Sequence, residues 1–298
     1  MGVVAIFGPT ASGKSAAAEA LGARIPAELV SADAMQAYRG LPILTNQSGA
    51  AMRLVAIWPL DHEGSVGEYA ALAHAAIDEI LAAGRTPIVV GGTGLYLRAA
   101  LADLDPPAPS GERARWEAFY DERGGEAAHA RLAELDPAAA ALVHPNDRRR
   151  MVRALELAVV GESLAPSEDR LWSEATRHPT LVLGLEVPKA ELERRIEART
   201  RVMFETGVAE EARRALAGPI SETARKTLGL EEAATLPSEE AREAIVTRTR
   251  RYAAYQRKWM RRMPGLVSVA ADRPAGEIAD EILEVARARQ LLPAPGGR

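Results

Sequence analysis

The stretch Gly8-Pro9-Thr10-Ala11-Ser12-Gly13-Lys14-Ser15 constrains this chain more than any other. It follows an apolar run, Val3-Val4-Ala5-Ile6-Phe7, of the length of one buried strand. It precedes Ala16-Ala17-Ala18-Glu19-Ala20-Leu21, which reads as helix. Strand, glycine-framed loop, helix is the setting a phosphate-binding P-loop needs. The loop's N–H groups turn inward as a nest for phosphate oxygens, and the helix adds its free N–H groups and positive dipole end. Gly8 and Gly13 permit the sharp turns. In such a loop Lys14 reaches the outer phosphates and the Ser15 hydroxyl is a ligand for Mg2+. Gly8, Pro9, Thr10, Ala11, Ser12, Gly13, Lys14 and Ser15 are therefore the expected phosphate-binding residues, and ATP's phosphates are among those that fit. The loop specifies phosphates; it does not specify whose, or what reaction.

The rest of the chain alternates in the same way. Glu28-Leu29-Val30-Ser31 reads as a second strand, ending at Ala32-Asp33, and Leu54-Val55-Ala56-Ile57 as a third. Ser65 caps a helix over 66–83 that Gly84 stops. Pro87-Ile88-Val89-Val90 is a buried strand, left through Gly91-Gly92-Thr93-Gly94, and Leu95–Leu101 is helical. This β-α alternation predicts an α/β fold, a P-loop NTPase-like parallel sheet flanked by helices, with ligands beyond the strands' carboxyl ends. The pattern breaks at Asp105-Pro106-Pro107-Ala108-Pro109, and from 110 to 177 only helical segments follow. A strand returns at Thr180–Leu185, then helices over 189–217 and 238–263, a strand over 266–269 and a helix over 275–290. The expected domains are residues 1–108 as the first part of the core, 109–178 as a helical insertion, 179–290 as the core continued with a basic C-terminal helix, and 291–298 as a disordered tail.

Composition narrows the function. Apolar residues make up 47% of the 298, enough for a large core. The net charge of −4 means that any nucleic-acid surface is local. There is no cysteine, which excludes disulfides, thiolate metal sites and thiol nucleophiles. No basic leader precedes the first strand, and no run approaches the roughly 18 apolar residues of a membrane span. A soluble cytoplasmic monomer with no membrane partner is expected.

Four further sites could carry chemistry. Asp33, at a strand's carboxyl end beside the P-loop, could bind Mg2+ through water or accept a proton from a nucleophile; it could equally be a helix cap. Gly91-Gly92-Thr93-Gly94-Leu95-Tyr96 leaves a strand that ends in glycine, where many P-loop ATPases have Asp. Such a turn lets backbone and a small hydroxyl approach a substrate, or is simply tight. In His144-Pro145-Asn146-Asp147-Arg148-Arg149-Arg150-Met151-Val152-Arg153, Asp147 caps a helix whose first turn carries three arginines. The macrodipole disfavours that, which suggests an anionic partner; a solvated basic face is the alternative. The stretch from Arg248 to Arg262 holds seven basic residues and no acidic one. Helical spacing gathers Arg250, Arg257 and Arg261 on one face, with Tyr252, Tyr255 and Trp259 as a neighbouring stripe. Cations interleaved with aromatics suit an RNA strand, while the aromatics could instead face the core.

Taken together, Gly8–Ser15, Ser31-Ala32-Asp33, Gly91–Tyr96 and His144–Arg150 resemble the tRNA isopentenyltransferase (tRNA dimethylallyltransferase) family, over Val3 to about Arg262. The resemblance implies Mg2+-dependent transfer of a dimethylallyl group from dimethylallyl diphosphate to N6 of the adenosine immediately 3′ of the anticodon, in tRNAs reading codons that begin with U. It makes Asp33 the general base, with Lys14 and Thr10 at the reacting groups. It assigns tRNA contacts to Asp33, Ala34, Met35, Gln36, Thr93, Arg113, Arg149, Arg150, Met151, Val152 and Arg153. The insertion would grip the anticodon stem.

The chain departs from the family at Met52–Ala56, which lacks the usual His and Asp, and at Gln47, where Lys is frequent. Ala224-Arg225-Lys226-Thr227-Leu228-Gly229-Leu230 replaces a Gly-Tyr ending, with Lys226, or alternatively Arg225, as the matching basic residue for diphosphate. Ala254-Tyr255-Gln256 stands where the family has Lys-Arg-Gln. Two rivals remain at this point. One is a small-molecule kinase or adenylate isopentenyltransferase using the same loop on a free nucleotide, which would not need two arginine-rich stretches. The other is a non-catalytic, NTP-gated RNA-binding protein.

Overall fold

The computed structural model describes residues 1–47, 51–104, 111–165 and 170–292. In chain order the elements are β1 (Val3–Phe7), α1 (Lys14–Gly22), β2 (Ala27–Ser31), β3 (Met52–Arg53), α2 (Val66–Ala82), β4 (Thr86–Gly91), α3 (Gly94–Leu101), α4 (Arg113–Leu135), α5 (Pro137–Ala140), α6 (Arg148–Val159), β5 (Thr180–Glu186), α7 (Lys189–Glu205), α8 (Val208–Ala217), α9 (Glu222–Arg225), α10 (Leu230–Thr235), α11 (Ser238–Arg262), β6 (Val267–Ala270) and α12 (Ala275–Ala288). The strands form one parallel sheet in the order β3-β2-β4-β1-β5-β6. β1 is central and buried at every position, as its unbroken apolar sequence requires of a strand covered on both faces. Its alternate side chains feed two cores. Val4 and Ile6 pack with α1, α7 and α12, whereas Val3, Ala5 and Phe7 pack with α2 and α3. The expected α/β fold is the observed one.

The chain divides into two compact units, Met1–Leu104 with Leu171–Arg298, and Asp105–Arg170. The second unit has its own core, in which Trp116, Leu132, Met151, Val152 and Leu155 join α4, α5 and α6. Residues 171–178, expected within the insertion, fall in the first unit. The proline-rich boundary at 105–109 lies outside the described residues.

Several local expectations need correction. The third strand is Met52–Arg53, not 54–57, because Leu54 and Ala56 take left-handed φ values of 63° and 54° that end an extended run. The helix expected over 189–217 is two helices, broken at Gly207 with φ 96°. The tail does not begin at 291: Leu291 and Leu292 are buried, and the Leu291 carbonyl accepts the Gly2 N–H at 2.9 Å. Residues 293–298 lie outside the described residues. Ser65 does cap α2, its hydroxyl accepting the Glu68 N–H at 3.1 Å. No helix among the described residues is long and apolar enough to cross a membrane.

Candidate active site

Beyond the carboxyl ends of β1, β2 and β4 lies a cavity of about 830 Å3. The P-loop, Asp33–Gln36, Thr93, the loop at 44–46, α7, the turn after α9 and α11 all border it. Gly13 caps α1 in the left-handed region (φ 90°) with no side-chain cap, so the first-turn N–H groups stay available to an anion. Ala11 is also left-handed, at φ 62°, a conformation that an L residue holds only where its surroundings impose it. Ser12 is buried, and its Oγ has no hydrogen-bond partner among the described residues.

Lys14 donates to the Pro9 carbonyl at 2.8 Å. Burial lowers its pKa to about 8; the Asp33 carboxylate opposes that shift and the Arg199 guanidinium adds to it. Arg199 comes from α7, and burial also lowers its pKa, against the pull of Asp33. Its Nε is buried without a hydrogen-bond partner. Arg195 and Arg248 border the cavity too, but each is ion-paired, Arg195 with Glu191, which it shares with Arg194, and Arg248 with Glu232. Lys226 is exposed at the rim, 3.6 Å from Glu222. Ser15 is at the mouth of the loop and borders the same space.

Asp33 is placed by its own turn: Oδ1 accepts the Met35 N–H at 3.0 Å. The next N–H, of Ala34, points to Thr93 Oγ1 at 3.4 Å, and Thr93 Oγ1 is 3.5 Å from the Tyr252 hydroxyl. Burial raises the Tyr252 pKa to about 12, so this hydroxyl stays protonated. Gln36 donates to the carbonyls of Thr45 and Asn46 at 3.2 and 3.1 Å. Gln47, where the family often has Lys, donates instead to the Tyr38 carbonyl at 2.7 Å and braces the same loop. From the other side Glu211 accepts the N–H groups of Ile43 and Leu44 at 2.9 and 2.8 Å.

The residue that ties these parts together is Gln256, which sequence reasoning passed over as a site residue. It is 2% exposed on α11. Its Oε1 accepts the Thr10 N–H at 2.7 Å, and its Nε2 donates to the Gly92 carbonyl at 2.8 Å. The P-loop and the turn after β4 are thus held to one side chain. The glycines of that turn answer to packing more than to substrate. A Cβ at Gly92 would collide with the Gln256 amide, and one at Gly94 with the Trp259 indole.

Several expected tRNA contacts look different in the fold. Met151 and Val152 are 0% and 1% exposed in the core of the helical unit, so their side chains cannot reach a ligand. α6 is amphipathic, and its apolar positions face inward. Arg149 and Arg150 are exposed, without ion-pair partners among the described residues. Arg113 pairs with Glu117 at 3.0 Å and Arg153 with Glu156 at 2.9 Å. On α11, at about 100° per residue, Arg250, Arg257 and Arg261 run along one edge of the buried stripe. Tyr252, Tyr255 and Trp259 run along the opposite edge, not beside the arginines. Arg250 is tied to Glu197 of α7. Trp259 is half-buried against Gly94, Tyr252 borders the cavity, and Tyr255 is exposed. The aromatic stripe is therefore core at one end and surface at another.

A parallel α/β sheet whose first strand feeds a P-loop, with half-buried cations bordering the cavity at the strand ends, defines a phosphate-handling protein of the P-loop class. The comparisons place it within that class. The family model for IPP transferase matches residues 36–263, and that for isopentenyl transferase matches residues 1–53. A tRNA dimethylallyltransferase of Thermobifida fusca is 40% identical over 291 residues, covering 91% of each chain. One of Anaeromyxobacter dehalogenans is 44% identical, covering 91% of this chain and 95% of its own. A solved tRNA isopentenylpyrophosphate transferase of Bacillus halodurans superposes with a TM-score of 0.69 at 30% identity, covering 97% of this chain and 98% of its own. The chain belongs to the IPP transferase family, a family of prenyl-transferring enzymes.

Proposed function

We propose that this protein transfers the dimethylallyl group of dimethylallyl diphosphate to N6 of the adenosine immediately 3′ of the anticodon in tRNA. The observation that carries this reading is the pair Lys14 and Arg199. Both are half-buried, and desolvation disfavours the charged form of each. Asp33 is the carboxylate that acts on both. Such a pair calls for an anion with several oxygens, and the nest of loop N–H groups beside it calls for the same.

The diphosphate would lie on the P-loop with its prenyl chain against Leu44, Met203, Leu228 and Ile245, apolar residues bordering the cavity. As the allylic C–O bond breaks, its electron pair goes to the diphosphate oxygen, where Lys14, Arg199 and the first-turn N–H groups of α1 meet the growing charge. The adenosine N6 forms the new bond to that carbon, and the proton it gives up passes to the Asp33 carboxylate. Thr93 and Tyr252, hydroxyl to hydroxyl beside Asp33, would orient the base. Thr10 keeps its backbone fixed through Gln256. To reach this site the adenosine leaves its stack, as bases do for enzymes that act on them.

No cluster of three His, Cys, Asp or Glu that could hold a metal stands among the described residues. The donors present, the Ser15 hydroxyl and the Asp33 carboxylate with the substrate's own oxygens, suit Mg2+, which takes few protein ligands. Bound there, Mg2+ would neutralise diphosphate charge. The exposed Arg149 and Arg150 of the helical unit would contact RNA phosphates.

Incubation with Mg2+, labelled dimethylallyl diphosphate and bulk tRNA, followed by digestion to nucleosides, tests the reading. Label in an N6-modified adenosine from tRNA is expected. Label confined to added AMP, ADP or ATP would transfer the case to the free-nucleotide rival, and no label in either would overturn prenyl transfer.

A further inference from the structure

Tyr255 has no part in the pocket just described, yet it is the most exposed aromatic ring on α11, at 54%. Its neighbours have structural employment. Tyr252 lines the cavity and meets Thr93. Trp259 packs on Gly94 and lies 4.8 Å from the Trp172 ring, which the Arg262 guanidinium covers at 3.9 Å. Tyr255 stands between them, 6.4 Å from Tyr252 with the two ring planes inclined by 25°, and 6.5 Å from Trp259 at 71°. One open face of an aromatic ring is thus presented to solvent a single step outward from the ring that borders the cavity.

The charges that α11 places around this ring are of one sign. Arg251 and Lys258 lie on the exposed side of α11, next to the aromatic edge, and neither has an ion-pair partner among the described residues. No acidic residue occurs between Arg248 and Arg262. A bare aromatic face flanked by unpaired cations is the pairing that single-stranded nucleic acid uses: the base stacks while the cations meet the backbone. A protein partner would be expected to bring an apolar surface, but the rings on either side of Tyr255 are already packed.

We propose that Tyr255 is the stacking platform for the unpaired base adjacent to the acceptor adenosine, with Arg251 and Lys258 holding the phosphates on either side. This rests on the reading of the cavity as the adenosine's site. It gives Tyr255 a positioning role, since the ring touches a neighbour of the reacting nucleotide and not the reacting atoms. Stacking tolerates any base, so the platform contributes affinity and register without reading a letter.

The test uses the full-length protein and an anticodon stem-loop RNA carrying 2-aminopurine, placed in turn at the 5′ and the 3′ neighbour of the acceptor. With wild type, binding should quench the fluorescence at one of these positions. Tyr255→Ala should remove that quenching and raise KM for RNA by about 5- to 150-fold, the range for losing one base–aromatic stack. The effect should fall on KM for RNA and not on KM for the donor, and Tyr255→Phe and Tyr255→Trp should restore both quenching and KM. If Tyr255→Ala melts early, Tyr255→Leu, which keeps an apolar stem on the helix but no ring, gives the same reading. A wild type that does not prenylate the stem-loop defeats the function proposed above, whatever Tyr255 does. A wild type that prenylates it, with Tyr255→Ala and Tyr255→Leu at wild-type KM and quenching, defeats the platform alone.

Discussion

Replacing Gln256 by Met removes the amide that joins the P-loop to the turn after β4 while keeping the side chain's length and volume. The cost can be followed bond by bond. Gly92 is buried, so its carbonyl, deprived of the Gln256 Nε2 donor, is left unsatisfied at roughly 1–3 kcal/mol. The Thr10 N–H borders the cavity and can turn to water, so its loss falls near the low end, about 1 kcal/mol. With no cavity opened, the sum is about 2–4 kcal/mol. For a chain of this size that is a melting shift of several degrees, on the order of 1.5–2 °C per kcal/mol.

The catalytic consequence should be larger than the stability loss suggests. Thr10 sits four residues before Lys14 in a loop whose geometry is imposed, with Ala11 held left-handed. Released from Gln256, the loop can shift, and a misplacement of about 1 Å at a reacting centre costs on the order of 10²-fold. The assay is kcat/KM for dimethylallyl diphosphate at saturating tRNA, beside a melting curve of the same preparation. Gln256→Glu offers a second readout: it keeps the acceptor for Thr10 but sets a carboxylate against the Gly92 carbonyl, so it should resemble Met in melting and lie between Met and wild type in rate. A Met variant that melts within a degree of wild type and keeps its donor kcat/KM would refute the idea that this side chain holds the loop.

Asp33→Asn keeps the turn to Met35, because Asn also presents an acceptor, and should lower single-turnover transfer by roughly 10²-fold or more at unchanged tRNA affinity; an unchanged rate excludes Asp33 as the base. Lys14, with a pKa of about 8, is charged below that value and neutral above it, so donor kcat/KM should fall as pH rises through about 8, and a profile flat to pH 9.5 would contradict this. Met151→Ala should cost the helical unit about 2–5 kcal/mol, read as earlier melting, whereas Arg149→Gln with Arg150→Gln should leave melting alone and reduce the log–log salt slope of tRNA binding by about 0.7–0.9 for each phosphate no longer neutralised. Gly94→Ala pushes a methyl into the Trp259 indole and should destabilise by about 1–3 kcal/mol in a melting assay.

The parts of this molecule that were legible in its sequence are those where one local pattern has one structural solution. An unbroken apolar run before a glycine loop can only be a covered strand, and β1 is that strand. Ser65 three residues before Glu68 is a cap wherever it falls. What was not legible depends on partners far along the chain. Gln256 meets Thr10 across 246 positions, and a glutamine in a basic helix carries no local mark of being buried. Arg199 shares α7 with Arg194, Arg195 and Arg201 among glutamates at similar spacing. Only the fold shows which arginine lacks a partner and borders the cavity. Met151 and Val152 failed in the opposite sense: motif match assigned them to RNA, while their apolar character assigned them to the core, and the burial followed the character. On α11 the arginines and aromatics were each grouped correctly by period, but which edge of the buried stripe each occupied needed the buried stripe itself.

The charge of the pocket is local within a chain whose net charge is −4. Arg195 and Arg248 bring positive charge to the cavity wall, but each is ion-paired, with Glu191 and Glu232 respectively. Lys226 at the rim has Glu222 beside it. Lys14 and Arg199 have no ion pair among the described residues, and there desolvation weakens the charged form of each while Asp33 supports it. That arrangement has a direction. A diphosphate held as proposed would lower the energy of both cations at once, with its oxygens at the P-loop end and its carbon chain towards the apolar wall. An allylic diphosphate puts the bond that must break between the cations and the carboxylate, with the leaving charge on one side and the departing proton on the other. Two cations and a carboxylate bordering one cavity, with the Thr93 and Tyr252 hydroxyls 3.5 Å apart at its wall, are the features that fit prenyl transfer to a base.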